Sequence, residues 1–426
     1  MKTKLCLISL GCDKNLVDSE MMLGVLSEDS ASDYEFIDDE TAADVIIINT
    51  CCFILDAKQE SIDTILRVAE YKHSGCLKKL IVMGCLAERY NDEIIREIPE
   101  VDRIIRVSEF ENRISMNPPK KRMVSTGGWY AYLKIAEGCN KRCTYCIIPY
   151  LRGSYRSYPM EELLRQAEQL AGSGVKELII VAQETTIYGT DLYGKKKLPE
   201  LLKKLCEIEG LRWIRLMYTY PEEITDELIE VMASEPKICH YIDMPIQHAS
   251  DSVLKRMARK TNKADIIAVV DKLRNAMPDI VIRTSLISGF PGETEEDHRE
   301  LVSFIDSEEL DHVGVFTYSE EEGTPAAGFT DQIPEKIKSS RRDELMSLQQ
   351  EISISLLEDM VGETIDVMIE GWLPDDGVAV GRTYMDAPNV DGYIFVTTKK
   401  RYDSGVFIKA KITGSSEYDL VGEEIQ

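Results

Sequence analysis

Long apolar runs are missing from this sequence. No stretch of its 426 residues approaches the ~18 uninterrupted apolar residues of a membrane helix, so no membrane partner is expected. The opening Met-Lys-Thr-Lys-Leu-Cys-Leu-Ile has no long apolar region followed by a small-residue cleavage site. It reads as a first β-strand rather than a signal peptide, and the two absences together predict a cytoplasmic protein. Positive charge is scarce as well: 50 Lys and Arg stand against 75 Asp and Glu, a net charge of −25. Nucleic-acid binding rests on Lys and Arg neutralising phosphates, so nucleic acid is not the preferred substrate. A basic protein is the more comfortable partner. No Walker loop, HExxH zinc motif or Ser-His-Asp set points to hydrolysis. Internal repeats and low-complexity tracts of note are also lacking.

What remains is an ordinary globular composition, 44% apolar and 29% charged, long enough for two to four domains. Three regions separate, and together they predict an α/β protein. Residues 1–124 alternate apolar strands (Lys4–Gly11, Asp44–Cys51, Leu77–Cys85, Arg103–Val107) with helices (Asn15–Ser27, Ala57–Lys72, Asp92–Glu97), which predicts an open parallel sheet with flanking helices. The segment Asn117-Pro118-Pro119-Lys120-Lys121 reads as a linker. Residues 127–358 repeat the strand–helix unit about six times. The strands lie near Tyr132–Glu137, Glu177–Gln183, Trp213–Met217, Tyr241–Pro245, Ile280–Ser288 and His312–Tyr318. This predicts a partial (β/α)6 barrel, with a polar helix over Ile333–Met360 leading away from it. Residues 359–426, with short strands near Thr364–Glu370, Tyr393–Thr397 and Val406–Ile412, predict a small all-β barrel.

Eleven cysteines in a long chain without an export signal suggest reduced thiols, some of them metal ligands. Cys6, Cys206 and Cys239 sit in apolar patterns as small core residues, and Cys76 at a helix end looks incidental. Cys139, Cys143 and Cys146 differ. Their C-x3-C-x2-C spacing follows directly on the first barrel strand, and three thiolates on one tight loop can hold three irons of a [4Fe–4S] cubane while the fourth stays open. Zinc is the alternative, although no fourth Cys or His follows close by. The spacing, with Tyr145 before the last Cys, is similar to that of the radical S-adenosylmethionine superfamily. That likeness implies S-adenosylmethionine as the ligand of the open iron and a 5′-deoxyadenosyl radical as the product of its cleavage.

Cys12, Cys51 and Cys85 each end an apolar run in the first region, in Leu10-Gly11-Cys12, Asn49-Thr50-Cys51 and Met83-Gly84-Cys85. Strand carboxyl ends of an open α/β sheet line one crevice, so three thiols delivered there could converge on a second cluster. Cys52 is the alternative to Cys51, since strand alternation points the two in opposite directions.

The whole now resembles the methylthiotransferase family. The likeness rests on Leu10-Gly11-Cys12-Asp13-Lys14-Asn15 with Val17-Asp18-Ser19-Glu20, and on Asn49-Thr50-Cys51 and Gly84-Cys85-Leu86-Ala87-Glu88-Arg89-Tyr90. It continues in Cys146-Ile147-Ile148-Pro149 with Arg152-Gly153 and Arg156-Ser157. It implies an N-terminal domain holding a second [4Fe–4S] cluster, a radical barrel and a C-terminal TRAM domain. Within the family, Gly381-Arg382-Thr383-Tyr384-Met385-Asp386-Ala387-Pro388-Asn389-Val390-Asp391-Gly392 resembles the branch that modifies the β-carbon of an aspartate in the small-subunit ribosomal protein S-twelve. From Asp359 onward thirteen Asp or Glu stand against six Lys or Arg, which suits a basic protein and repels a tRNA backbone.

The implied reaction uses one S-adenosylmethionine to methylate a sulfur associated with the second cluster and cleaves another at the first. The radical takes hydrogen from the substrate β-carbon, the carbon couples to the sulfur, and an external electron donor reloads the clusters. Gln183 and Glu184 at one barrel strand end, and Ser288 and Gly289 at another, are the candidate cofactor contacts, with a solvated turn as the alternative for the first pair. His248, just past a strand, reads as a satisfied polar residue, and Asp386 and Asp391 as turn or substrate-contact residues. A tRNA methylthiotransferase and a non-radical iron–sulfur electron carrier are the competing readings.

Overall fold

A computed structural model describes residues 2–28, 33–116, 118–374 and 377–425, so Asn117 of the linker lies outside the described residues. The chain forms two compact units. The first comprises Met1–Ser125 with Glu137–Arg156 and Ser319–Ala327; the second comprises Thr126–Ala136, Ser157–Tyr318 and Gly328–Gln426. Among the described residues, no helix is long and apolar enough to cross a membrane.

In the first unit, β1 (Thr3–Ser9), β2 (Tyr34–Phe36), β3 (Val45–Thr50), β4 (Lys79–Gly84) and β5 (Arg103–Ile105) form a parallel sheet in the order β2-β1-β3-β4-β5. The central strand β3 is Val-Ile-Ile-Ile-Asn-Thr and is buried at every position, the continuous pattern of a strand covered on both faces. Ile46, Ile48, Leu80 and Val82 are fully buried against Ile65 and Val68 of the helix Leu55–Ala69. At ~1.5–3 kcal/mol per large aliphatic side chain, this cluster anchors the unit. Ile147 and Leu151 join the same cluster. That packing seats the cysteine loop in the first unit, although chain order follows it on from the barrel strands.

In the second unit, β6 (Tyr130–Lys134), β7 (Glu177–Val181), β8 (Trp213–Leu216), β9 (Ile238–Asp243), β10 (Val281–Ser288) and β11 (His312–Thr317) form a six-stranded sheet in sequential order, every pair parallel. This is the expected open barrel of six strands. The helix Glu335–Asp359 leads to a closed barrel of β12 (Thr364–Leu373), β13 (Val378–Arg382), β14 (Ile394–Thr397), β15 (Phe407–Ser415) and β16 (Leu420–Glu424). Two of its strands, β13 and β16, went unread in the sequence because Gly381 and Gly422 interrupt short runs; a Cβ at either would strike a backbone carbonyl of a neighbouring strand.

Arg382, at the end of β13, and the turn after it dock that barrel on the six-stranded sheet. Glu177, at the start of β7, receives Arg215 Nε at 2.7 Å and Arg382 Nη2 at 2.6 Å, and all three side chains are fully buried. Asp391 accepts from the Tyr241 hydroxyl at 2.8 Å and pairs with Arg283 Nε at 3.3 Å. Asp386 accepts from Thr383 Oγ1 at 2.8 Å, closing a turn. Both aspartates have buried side chains. Of the turn and substrate-contact readings of these two, the structure shows the turn: Asp386 closes one on Thr383, Asp391 accepts from the Ala387 N–H at 2.8 Å, and burial gives both to the docking of the barrel. Burial also pushes the Asp386 carboxyl up to about 6.

Glu177→Gln leaves two buried guanidiniums short of their shared counter-charge, a change expected to cost about 3–5 kcal/mol. The urea midpoint should fall accordingly, and an unchanged midpoint would show that the triad contributes nothing to the docking.

Candidate functional site

Three adjacent parallel strands deliver cysteines to one sheet edge: Cys12 follows β1, Cys51 follows β3 and Cys85 follows β4. Glycines make the approach possible. Gly11 has φ +84°, and a Cβ there would lie 2.5 Å from Cys51 Cβ; Gly84 has φ +96°, and a Cβ there would lie 2.3 Å from Asn49 Oδ1 and 2.5 Å from the Thr50 carbonyl. Ser61, on the helix Leu55–Ala69, clamps Cys51 from both sides. Its hydroxyl accepts from the Cys51 N–H at 3.0 Å and donates to the Cys51 carbonyl at 2.8 Å.

The three thiols lie close enough to act on one another electrostatically. Burial raises the Cys51 thiol above its ordinary range, with Cys12 adding to the rise. Burial pushes Cys85 up to about 12, against the opposing pull of the Arg152 guanidinium. Cys52 is likewise pushed up to about 12 by burial, with Cys85 and Cys51 adding to it; it packs in the apolar cluster and hydrogen-bonds to Arg89.

Asn15, in the first turn of the helix Asp13–Glu28, ties the three strand ends together. Its Nδ2 donates to the Leu10 carbonyl and to the Thr50 carbonyl, each at 3.0 Å, and its Oδ1 faces Cys85 Sγ at 3.9 Å. The same Oδ1 accepts from Arg152 Nη2. Arg152 Nη1 donates to Asp18 at 2.7 Å and to Glu137 at 3.2 Å. Burial works against this guanidinium, but Cys85, Glu137, Asp18 and Cys12 hold its pKa well above the ordinary value. Sequence reading passed over Asn15, Asp18, Glu137 and Arg152 except as motif letters. The available signal was Asn15 and Asp18 one helical turn apart, polar residues on a face that the fold buries.

Cys139, Cys143 and Cys146 share a loop in the same unit. Cys139 and Cys143 are buried and Cys146 half-buried. Gly138 has φ +77°, and a Cβ there would meet the Ser154 carbonyl at 2.4 Å, so the loop closes tightly on its own return. The Cys139 N–H donates to the Gly153 carbonyl at 3.2 Å, and the Cys146 N–H to the Cys143 carbonyl at 3.0 Å. Arg142 adopts φ +53°, the left-handed kink that reverses the chain between the first two thiols. Cys139 Sγ accepts from the Lys141 N–H at 3.5 Å.

The donor set fits an iron–sulfur group in each place. A tetrahedral zinc with Zn–S near 2.3 Å asks for sulfurs only about 4 Å apart. Among the described residues, the sole trio of metal-type ligand atoms within 4.8 Å of one another is Asp18, Glu111 and Glu137, where Arg152 already sits. Three thiolates in each place can hold three irons of a four-iron cluster, with the fourth iron open.

In the second unit, Gln183 and Glu184 follow β7, and Ser288 and Gly289 end β10, on the same carboxyl edge with two strands between them. Glu184 is buried and accepts from the Thr186 N–H at 3.2 Å. The Ser288 hydroxyl donates to the Lys338 carbonyl at 2.9 Å, and the Gly289 N–H donates to Glu293 at 2.7 Å. Gly289 has φ +71°, and a Cβ there would strike the Lys338 side chain at 2.3 Å, so backbone and packing both call for glycine. His248 Nδ1 accepts from the Ser250 N–H at 2.9 Å, and burial pulls its pKa down to about 3, so the imidazole is neutral.

The sequence matches three families: the uncharacterized protein family UPF0004 over residues 4–106, the radical SAM superfamily over 133–305 and the TRAM domain over 361–425. Proteins named ribosomal protein uS12 methylthiotransferase RimO are similar along nearly the whole chain. The one from Lachnoclostridium phytofermentans is 56% identical over 98% of this chain and 99% of its own length, and that from Acetivibrio thermocellus is 48% identical over 100% and 99%. Among solved structures, the radical S-adenosylmethionine methyltransferase TsrM from Kitasatospora setae shares the fold with a TM-score of 0.54 at 13% identity, over 88% of this chain and 79% of its own. The cobalamin-dependent radical enzyme OxsB gives 0.53 at 13% identity, over 82% and 56%.

Gly84→Ala forces a left-handed Cβ into the Thr50 backbone, so a stability loss of about 1–3 kcal/mol is expected from a lowered denaturation midpoint. A wild-type midpoint would mean that the strand end yields without strain.

Proposed function

The chain belongs to the ribosomal protein uS12 methylthiotransferase family of radical S-adenosylmethionine enzymes, and on that premise we propose that it methylthiolates the β-carbon of an aspartate in uS12 using two [4Fe–4S] clusters. Membership brings an iron–sulfur cluster and S-adenosylmethionine with it. The observation that carries the finer reading is the presence of two separate thiol trios in one unit, Cys139, Cys143 and Cys146 on a loop and Cys12, Cys51 and Cys85 at strand ends.

When bound at the loop, a cluster supplies the electron that cleaves S-adenosylmethionine to a hydrogen-abstracting radical. The chain's own residues do the rest of the positioning. Gly138 and Arg142 take the left-handed backbone that folds the loop tightly. Gly11 and Gly84 admit the strand-end thiols, and Ser61 fixes the Cys51 backbone. Gln183, Glu184, Ser288 and Gly289 remain the proposed cofactor contacts. Since the Ser288 hydroxyl and the Gly289 N–H already donate within the protein, contact at that strand end falls to acceptor oxygens. The acidic surface, −25 overall, attracts a basic ribosomal protein and repels RNA. This reading includes an external one-electron donor and a cytoplasmic place of work, where the ribosomal substrate resides.

Two triple variants separate the roles. With Cys139, Cys143 and Cys146 changed to Ala, neither 5′-deoxyadenosine nor modified uS12 should form. With Cys12, Cys51 and Cys85 changed to Ala, 5′-deoxyadenosine should still form while the methylthio mass gain on uS12 disappears. Methylthiolation surviving the second set of changes, or a methylthio group found on tRNA and not on uS12, would contradict the reading.

A further inference from the structure

We propose that Arg152 is a positioning residue shared by the two thiol trios, one whose fork fixes Asn15 and whose charge raises the reduction potential of the strand-end cluster. The inference rests on the two-cluster reading above. Its ground is the direction in which the buried guanidinium points. One nitrogen satisfies two carboxylates, Asp18 at 2.7 Å and Glu137 at 3.2 Å, and Glu137 lies two residues before Cys139. The other donates to Asn15 Oδ1. An ion pair serving stability alone would need only the carboxylates. Here the second arm reaches the one amide whose nitrogen holds the Leu10 and Thr50 carbonyls, directly before Gly11-Cys12 and Cys51, and whose oxygen faces Cys85 Sγ at 3.9 Å.

The charge balance points the same way. The Arg152 side chain is 1% exposed, and the carboxylates of Asp18, Glu111 and Glu137 converge within 4.8 Å of one another around it. With a cluster bound, three strand-end thiolates would add negative charge beside it, since the Cys85 and Cys12 sulfurs lie within electrostatic reach of the guanidinium. An electron arriving at a cluster there adds one more negative charge, taken from an external one-electron donor. A cation in a water-poor site favours that reduced state, and an anion opposes it. Arg152 and Asp18 therefore act with opposite sign on the same potential. Arg also presents the planar fork that this double contact needs, which a Lys ammonium lacks.

The test uses full-length protein with Cys139, Cys143 and Cys146 changed to Ala, so that only the strand-end site is loaded with iron and sulfide. Dithionite titration followed by electron paramagnetic resonance then gives the midpoint potential. Arg152→Gln should lower it, Asp18→Asn should raise it, and Arg152→Lys, which keeps the charge, should stay near the parent value. A merely structural bridge would not give shifts of opposite sign. Unmoved potentials, or shifts in the same direction for Arg152→Gln and Asp18→Asn, would overturn the inference while leaving two clusters in place. A parent protein that binds no iron at this site would overturn both, and is recognised by the lack of any signal to titrate. If Arg152→Gln does not fold, the sign of the Asp18→Asn shift decides: a rise supports the proposal, and no rise overturns it.

Discussion

The amide of Asn15 is the contact on which the first unit depends. A parallel sheet ends each strand on a free carbonyl edge, and side-chain amides are short enough to bridge only neighbouring ends. Asn15 bridges the ends of β1 and β3 with its nitrogen and presents its oxygen to Cys85 and Arg152. Without it, three strand ends would still be adjacent and Ser61 would still hold Cys51, but the ends of β1 and β3 would lose the side chain that ties them to each other. The glycines at 11 and 84 permit the approach, and Asn15 fixes it.

The second unit solves a different problem, that of keeping the carboxyl edge of an open six-stranded sheet available. The closed C-terminal barrel is docked through Arg382 on Glu177, at the start of β7, and through Asp391 on Tyr241 and Arg283, with Arg215 sharing Glu177. In barrels of this kind the amino-terminal side carries stability and the carboxyl side carries chemistry. Burying ion pairs at the dock gives it specificity of register, because a slip by one residue would leave a guanidinium unpaired in an apolar layer.

Much of this was legible in the sequence. The alternation of apolar runs and amphipathic helices gave both parallel sheets, and β3 announced itself as a fully covered strand by four consecutive aliphatic residues. The cysteine spacings marked both thiol trios. Less visible was anything that depends on distant partners. Arg152 reads as a motif letter beside a glycine, and only folding shows that it reaches Asn15 and Asp18, more than 130 residues away. Asp386 and Asp391 read as turn or substrate-contact residues, and the turns are there; their burial follows from tertiary docking, which local composition does not encode. Nor could the sequence show that Lys338, on a later helix, packs against Gly289 and accepts the Ser288 hydroxyl at its carbonyl.

The central claim is that both thiol trios carry a cluster in the same molecule. Iron and acid-labile sulfide in the anaerobically reconstituted full-length protein test it directly. Two cubanes require about eight irons and about eight sulfides per chain, with six cysteines protected from alkylation. About four of each, with Cys12, Cys51 and Cys85 still alkylated, would contradict the account.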